Sequence, residues 1–118
     1  MTSIGDLEII VGELSGGGTL VRLRGELDLA TVSEFQEALA RAKTAARVVI
    51  DLTECSFLDS SGMRALLARA SADGDVKGPV SLVASDPGMR KSLEIAGVDS
   101  VLPIHATVAE ALLELDSK

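Results

Sequence analysis

Two stretches near the start of the chain, Leu7-Glu8-Ile9-Ile10-Val11 and Thr19-Leu20-Val21-Arg22-Leu23-Arg24, are rich in β-branched residues and partly alternate apolar with polar positions. Between them Ser15-Gly16-Gly17-Gly18 supplies residues that take up positive φ without a steric penalty, so the pair predicts an antiparallel hairpin. After Gly25-Glu26-Leu27-Asp28 the apolar spacing becomes helical. Val32, Phe35, Leu39 and Ala42 share one face of a helix over roughly 31–43, and Thr31 with Glu34 has the spacing of a capping box. Arg47-Val48-Val49-Ile50-Asp51-Leu52 is a short continuous apolar run, the pattern of a strand covered on both faces and therefore central in its sheet.

Met63, Leu66, Leu67 and Ala70 recur at helical spacing, which predicts a second helix starting within or just after Asp59-Ser60-Ser61-Gly62, with Asp73-Gly74-Asp75 in the loop beyond it. Pro79-Val80-Ser81-Leu82-Val83-Ala84 reads as a fourth strand. Ser85-Asp86-Pro87 then opens a third helix with a capping residue followed by proline, and Gly97 closes it. Val101-Leu102-Pro103-Ile104 is a brief last strand whose proline belongs at an edge or strand end. Thr107 with Glu110 forms a second capping box, and Val108, Ala111, Leu112 and Leu115 stripe a final helix.

The order ββαβαβαβα predicts an α/β fold: a mainly parallel sheet of about five strands with one antiparallel edge and four main helices. Its core is expected to include Val21, Val49, Ile50, Leu66, Leu82 and Leu112. The 118 residues, 47% hydrophobic and 25% charged, suit a single domain over 1–118, large enough to hold itself together without a metal or disulfide. One cysteine, Cys55, and one histidine, His105, exclude an internal disulfide and a zinc cluster. The net charge of −7 opposes binding to phosphate backbones, and two Phe with no Trp or Tyr leave no stacking platform, so nucleic acid is not an expected partner. No apolar run reaches the ~18 residues of a membrane span, so direct membrane insertion is not expected. Met1-Thr2-Ser3-Ile4-Gly5-Asp6 lacks a basic and apolar leader pattern, and the expected location is the cytoplasm.

Candidate chemistry collects where ligands bind in open α/β sheets, beyond the carboxyl ends of the strands. Asp28, Asp51 and Asp59 all lie there by sequence. Together they would suit a magnesium or phosphoacceptor site, yet an acidic pair after the first strand and a lysine after the last are missing; the alternative is that Asp28 and Asp59 shape turns through their own backbone. Asp59-Ser60-Ser61-Gly62 is more informative, because two adjacent hydroxyls exceed what one helix cap requires. If Asp59 or Ser60 accepts the orphan N–H groups, Ser61 falls in the first turn with its hydroxyl uncommitted, where the helix dipole tolerates a phosphate. The competing reading is two serines sharing one capping role. A hydrolytic serine has no support: no nucleophile elbow surrounds either residue, and His105 is distant and reads as an ordinary strand-end residue. Without a phosphate-binding loop or kinase signature the chain holds no nucleotide, no cofactor is called for, and any phosphate on Ser61 comes from another protein. Cys55, placed in the loop before the second helix, reads as a small packed side chain.

These residues resemble those of the bacterial anti-sigma factor antagonists, which share the STAS domain. The likeness runs through Gly25-Glu26-Leu27-Asp28, Val49-Ile50-Asp51-Leu52, Phe57-Leu58-Asp59-Ser60-Ser61-Gly62 and the segment from Pro87 to Val98, nearly the whole chain. The resemblance implies a STAS-like single domain; for want of a base, a metal site or a nucleotide loop, an enzyme is not expected. It implies that the unphosphorylated form binds a cognate anti-sigma factor, itself a serine kinase, and so frees a sigma factor. Phosphorylation of Ser61 switches binding off and a serine phosphatase restores it, with Asp28, Asp59, Ser60, Gly62, Met63 and Arg64 forming the partner surface. The chain departs from the family at Arg64, where a small residue is usual; a cation one turn from Ser61 could pair with a phosphate or alter partner choice. The alternative within the family is a structural STAS subunit of a stress-signalling scaffold or transporter complex.

Overall fold

The structure, a computed structural model, describes residues 7–42, 47–71 and 80–116. Its elements are β1 (Leu7–Glu13), β2 (Thr19–Leu27), α1 (Val32–Arg41), β3 (Val48–Leu58), α2 (Ser60–Ser71), β4 (Val80–Val83), α3 (Pro87–Ile95), a 3₁₀ turn (Val98–Ser100), β5 (Ile104–His105) and α4 (Val108–Asp116). The Asp73-Gly74-Asp75 loop, Pro79, residue 43 of the first predicted helix and the Ala70 and Leu115 side chains lie outside the described residues.

The five strands lie in sequence order, β1 antiparallel to β2 and every later neighbour parallel. That order decides where the helices go. Each parallel connection steps one strand in the same direction, so crossovers of a single hand deliver their helices to a single face. Accordingly Phe35 and Leu39 of α1, Leu66 of α2 and Leu93 of α3 join one core with Val21 and Leu23 of β2, Val48, Ile50 and Leu52 of β3 and Leu82 of β4. On the opposite face Val49 and Val83 meet Ala111 of α4 and Leu14. β3 is central and buried on both faces, as its apolar run predicts. Five of the six expected core residues are fully buried; Leu112 is only partly so, packing at the margin under α4.

Two predicted strand boundaries and two predicted placements, those of Cys55 and of the Thr31 hydroxyl, are corrected. β3 continues to Leu58, beyond the apolar run, because Arg24–Leu27 of β2 pair with it while β4 pairs only with Val48–Asp51. Cys55 therefore sits in a strand, not a loop, and is buried. The last strand is Ile104–His105, with Val98–Ser100 forming a 3₁₀ turn before it and Pro103 contributing only its carbonyl, which accepts from the Leu82 N–H at 2.9 Å. Thr31 precedes α1 without capping it by its side chain, because its buried hydroxyl turns back to donate to the Glu26 carbonyl at 2.8 Å and accept from the Asp28 N–H at 3.0 Å. The other helix ends agree with expectation: the Asp86 carboxylate accepts from Met89 N–H ahead of Pro87, Gly97 follows α3 at φ +82°, and the Thr107 hydroxyl accepts from the Glu110 N–H. Glu110 completes that box through the Ala106 N–H instead of that of Thr107.

The hairpin turn is tied to the centre of the sheet by Arg47, whose guanidinium donates to the Gly17 and Ser15 carbonyls at 2.8 and 2.7 Å. Gly18 faces this clamp at φ +112°, and a Cβ there would stand 2.6 Å from both the Arg47 Cγ and the Arg47 carbonyl oxygen. Gly18→Ala combines a strained backbone with that clash and is expected to cost about 1–3 kcal/mol. Gly12→Ala, which has open space around it, should change stability by no more than about 0.5 kcal/mol. Urea midpoints at constant slope measure both; equal midpoints would contradict the clamp.

Candidate functional site

β2 and β3 end side by side, Leu27 opposite Leu58, so the loop into α1 and the start of α2 emerge together. Within the first loop the Asp28 carboxylate accepts from the Ala30 N–H at 3.0 Å, and the Asp28 carbonyl receives the N–H groups of Thr31 and Val32. In the second, Asp59 caps α2: its Oδ1 accepts from the N–H groups of Ser61 at 2.9 Å and Gly62 at 3.1 Å. Its Oδ2 accepts from the Leu29 N–H at 3.2 Å, and its own N–H donates to the Leu27 carbonyl at 3.2 Å. One side chain thus caps a helix and joins both loops.

With Asp59 as the cap, both serine hydroxyls are spared. Ser60 is exposed and Ser61 half-buried in the first turn, and neither hydroxyl has a hydrogen-bond partner among the described residues. Gly62 explains why they face outward. It is buried, and a Cβ on it would lie 2.5 Å from Leu58 Cδ1 and 2.9 Å from Leu27 Cγ, so the helix rests directly on the ends of the two strands. Met63 packs partly into the core and Arg64 is exposed.

The three acids do not form one site. Asp51 is buried, accepts from Arg22 Nε at 3.0 Å and from the Thr53 N–H at 2.9 Å, and is separated from the Asp59 end by strand residues spanning roughly 20 Å at the usual rise. Asp28 and Asp59 are brought together, each bonded to backbone N–H groups as turn-shaping residues. The Cys55 thiol donates to the Phe57 carbonyl at 3.2 Å, and burial pushes the thiol up from the ordinary value, the opposite of what an activated thiolate needs. His105 ends the edge strand β5, away from both loops.

Two exposed apolar side chains missed in the sequence lie in the segments that lead into α1 and α2. Leu29, 77% exposed, rims a groove shared with Ser61 and Arg64; Phe57, 50% exposed, rims a second depression against Asp86, Met89 and Ser92 of the α3 end. The available signal was that Leu29 lies outside the helical period and that Phe57 is one of only two aromatics in the chain. No helix among the described residues is long and apolar enough to cross a membrane.

The STAS domain family model matches residues 10–111. The chain is 30% identical over 104 residues to the anti-sigma F factor antagonist of Paenibacillus polymyxa, covering 85% of this chain and 88% of that one. It is likewise 30% identical to the anti-sigma-F factor antagonist RsfB of Mycobacterium tuberculosis, over 81% of this chain and 80% of the relative. The crystal structure of an anti-sigma factor antagonist from Mycobacterium paratuberculosis superposes with a TM-score of 0.87 at 25% identity, covering 98% and 99% of the two chains. The chain belongs to the STAS domain family of anti-sigma factor antagonists.

The capping assignment separates the two acid and hydroxyl roles. Asp59→Ala removes the acceptor for two helix N–H groups and the tether to Leu29, and is expected to cost about 0.5–2 kcal/mol or more in urea denaturation. Ser60→Ala, which removes a hydroxyl bonded to nothing among the described residues, should stay within about 0.5 kcal/mol of the parent. A larger loss for Ser60→Ala than for Asp59→Ala would reverse the assignment.

Proposed function

We propose that this protein is the antagonist arm of a partner switch. In its unphosphorylated form it binds a cognate anti-sigma factor that is also a serine kinase, and the sigma factor is released. The kinase transfers a phosphoryl group from ATP to Ser61, binding ends, and a separate serine phosphatase resets the protein. The observation that carries the reading is the free, half-buried Ser61 hydroxyl on a helix start whose capping is already done by Asp59. The names of the relatives support the choice of partner. The surface offered to it comprises Asp28, Asp59, Ser60, Met63 and Arg64 around Ser61; Gly62, buried, contributes by seating the helix and not by touching the partner.

Magnitudes favour a switch that acts on binding and not on folding. Charge at a helix start alters stability by only ~0.3–1 kcal/mol, far below what unfolding a domain needs. A hundredfold loss of affinity takes ~2.8 kcal/mol, and a dianion buried in an interface without a cationic partner readily costs that much. Exclusion by charge is sufficient.

The test is calorimetric titration against candidate anti-sigma factors, with the phosphate mapped by mass spectrometry. Ser61→Ala should bind as the parent does while accepting no phosphate. Ser61→Asp should bind about tenfold more weakly, less than the effect of phosphate, because a carboxylate carries about half the charge. Equal affinity of Ser61→Asp and parent, or phosphate on Ser60 alone, would remove Ser61 from the mechanism; a stable assembly with a scaffold or transporter and no competition with sigma would replace the antagonist by a structural subunit.

A further inference from the structure

The two edges of the sheet differ. β5 is two residues long and follows Pro103, so it offers little for another strand to pair with. β1 runs for seven residues, Leu7–Glu13, and among the described residues pairs only with β2. It lacks the devices that ordinarily blunt an edge: it contains no proline or lysine, and no bulge breaks its register with β2. Val11 is 54% exposed on it, and the Glu8 carboxylate is held toward β2 by Arg24 at 3.1 Å.

Hydrogen bonds fix which backbone groups of β1 face outward. The Leu14 N–H donates to the Gly18 carbonyl within the hairpin, whereas Thr19, opposite Glu13, turns its N–H to the Arg47 carbonyl on the β3 side. Glu13 therefore faces away from β2, and alternation along an antiparallel strand turns Val11, Ile9 and Leu7 the same way. These four residues lie symmetrically about Ile10. An antiparallel second copy centred there sets Ile9 against Val11 and Leu7 against Glu13, so every outward-facing residue meets another. Ile10 meets its own counterpart in the close, non-hydrogen-bonded position, and Glu8 falls opposite Gly12, so no acid meets an acid across the seam. Centring the pair on Ile9 or Val11 instead leaves one of the four without a mate in β1.

We propose that β1 is a homotypic association edge, through which two copies of this chain pair antiparallel about Ile10 and join their five-stranded sheets into one of ten. The twofold axis stands perpendicular to the sheet. It keeps the α1–α3 layers of both copies on one face and points their Asp59–Gly62 ends in opposite directions, so each of those surfaces stays open to its own partner. A single seam about 24 Å long is small beside the ~1,200–2,000 Å² interfaces of stable complexes. Two chains of net charge −7 also repel, so the association is weak and is strengthened by salt.

Sedimentation equilibrium up to about 1 mM protein should show a monomer–dimer equilibrium with a dissociation constant of roughly 0.1–1 mM. Val11→Pro removes an outward N–H that β2 does not use; by symmetry it deletes two bonds of the seam and should weaken the dimer about tenfold. Val11→Lys, which puts a cation on the exposed edge, should weaken it as well, while Val11→Thr keeps the N–H and the strand preference and should dimerise as the parent does. Urea midpoints verify that the variants are folded. For the register, Ile10→Cys treated with diamide should cross-link, because Cα atoms about 4.5 Å apart lie within disulfide range. Glu8→Cys, about 14 Å from its counterpart, should not. A monomer at every concentration, a dimer unchanged by both Val11→Pro and Val11→Lys, or equal cross-linking at positions 8 and 10 would overturn the proposal.

Discussion

The carboxylate of Asp59 organises the functional end of this molecule. One oxygen satisfies two of the N–H groups that every helix start leaves without partners, and the other holds the backbone of Leu29 in a different loop. Were a serine doing the capping, its hydroxyl would be committed and the loop beside it untethered. Because an acid does both tasks, two hydroxyls remain available in the first turn, on a surface held by bonds that do not involve them. The same carboxylate places negative charge at the positive end of the helix dipole, which stabilises α2 and makes the neighbourhood of Ser61 acidic before any modification.

Asp59 can reach both loops only because of the sheet beneath. Strands in sequence order with same-sense crossovers put three helices on one face, and the parallel pairing of β2 with β3 brings their carboxyl ends level. The polar second half of β3, paired with β2 alone, carries α2 out to that position. Gly62 then lets the helix sit on Leu27 and Leu58 without a Cβ between them. Core packing, strand pairing and the cap therefore act on the same four residues, and displacement of any one shifts Ser61.

The surface so built suits regulation by charge. Exposed Leu29 and Phe57 supply apolar area in the segments leading into α1 and α2, the part of an interface that yields most when water is excluded. Ionic groups at the centre then decide whether that area can be used, since a desolvated charge lacking a partner cancels the gain from a good apolar contact. On the proposed reading, a modification that leaves the fold intact would be enough to close such an interface, and its removal would reopen the same surface without refolding.

Periodicity made the hairpin, the doubly covered central strand and the four helices legible, because each reflects which side of a local element faces the core. The spacing of Asp59, Ser60, Ser61 and Gly62 also displayed the surplus hydroxyl, although not which residue caps the helix. Three kinds of feature were decided only by the tertiary structure. The polar extension of β3 through Cys55 is a strand because β2 pairs with it, not because of its own pattern. Thr31 matched a capping box by sequence but turned its hydroxyl to the end of β2, where the half-buried Glu26 carbonyl competed successfully for it. The Asp59 tether to Leu29 and the Arg22–Asp51 pair join residues 30 and 29 positions apart, and the groove holding Ser61 and Arg64 exists only once α1 lies against α2. Local sequence records the preferences of one element for inside or outside; which polar groups of different elements meet is set when the strands align and the helices pack.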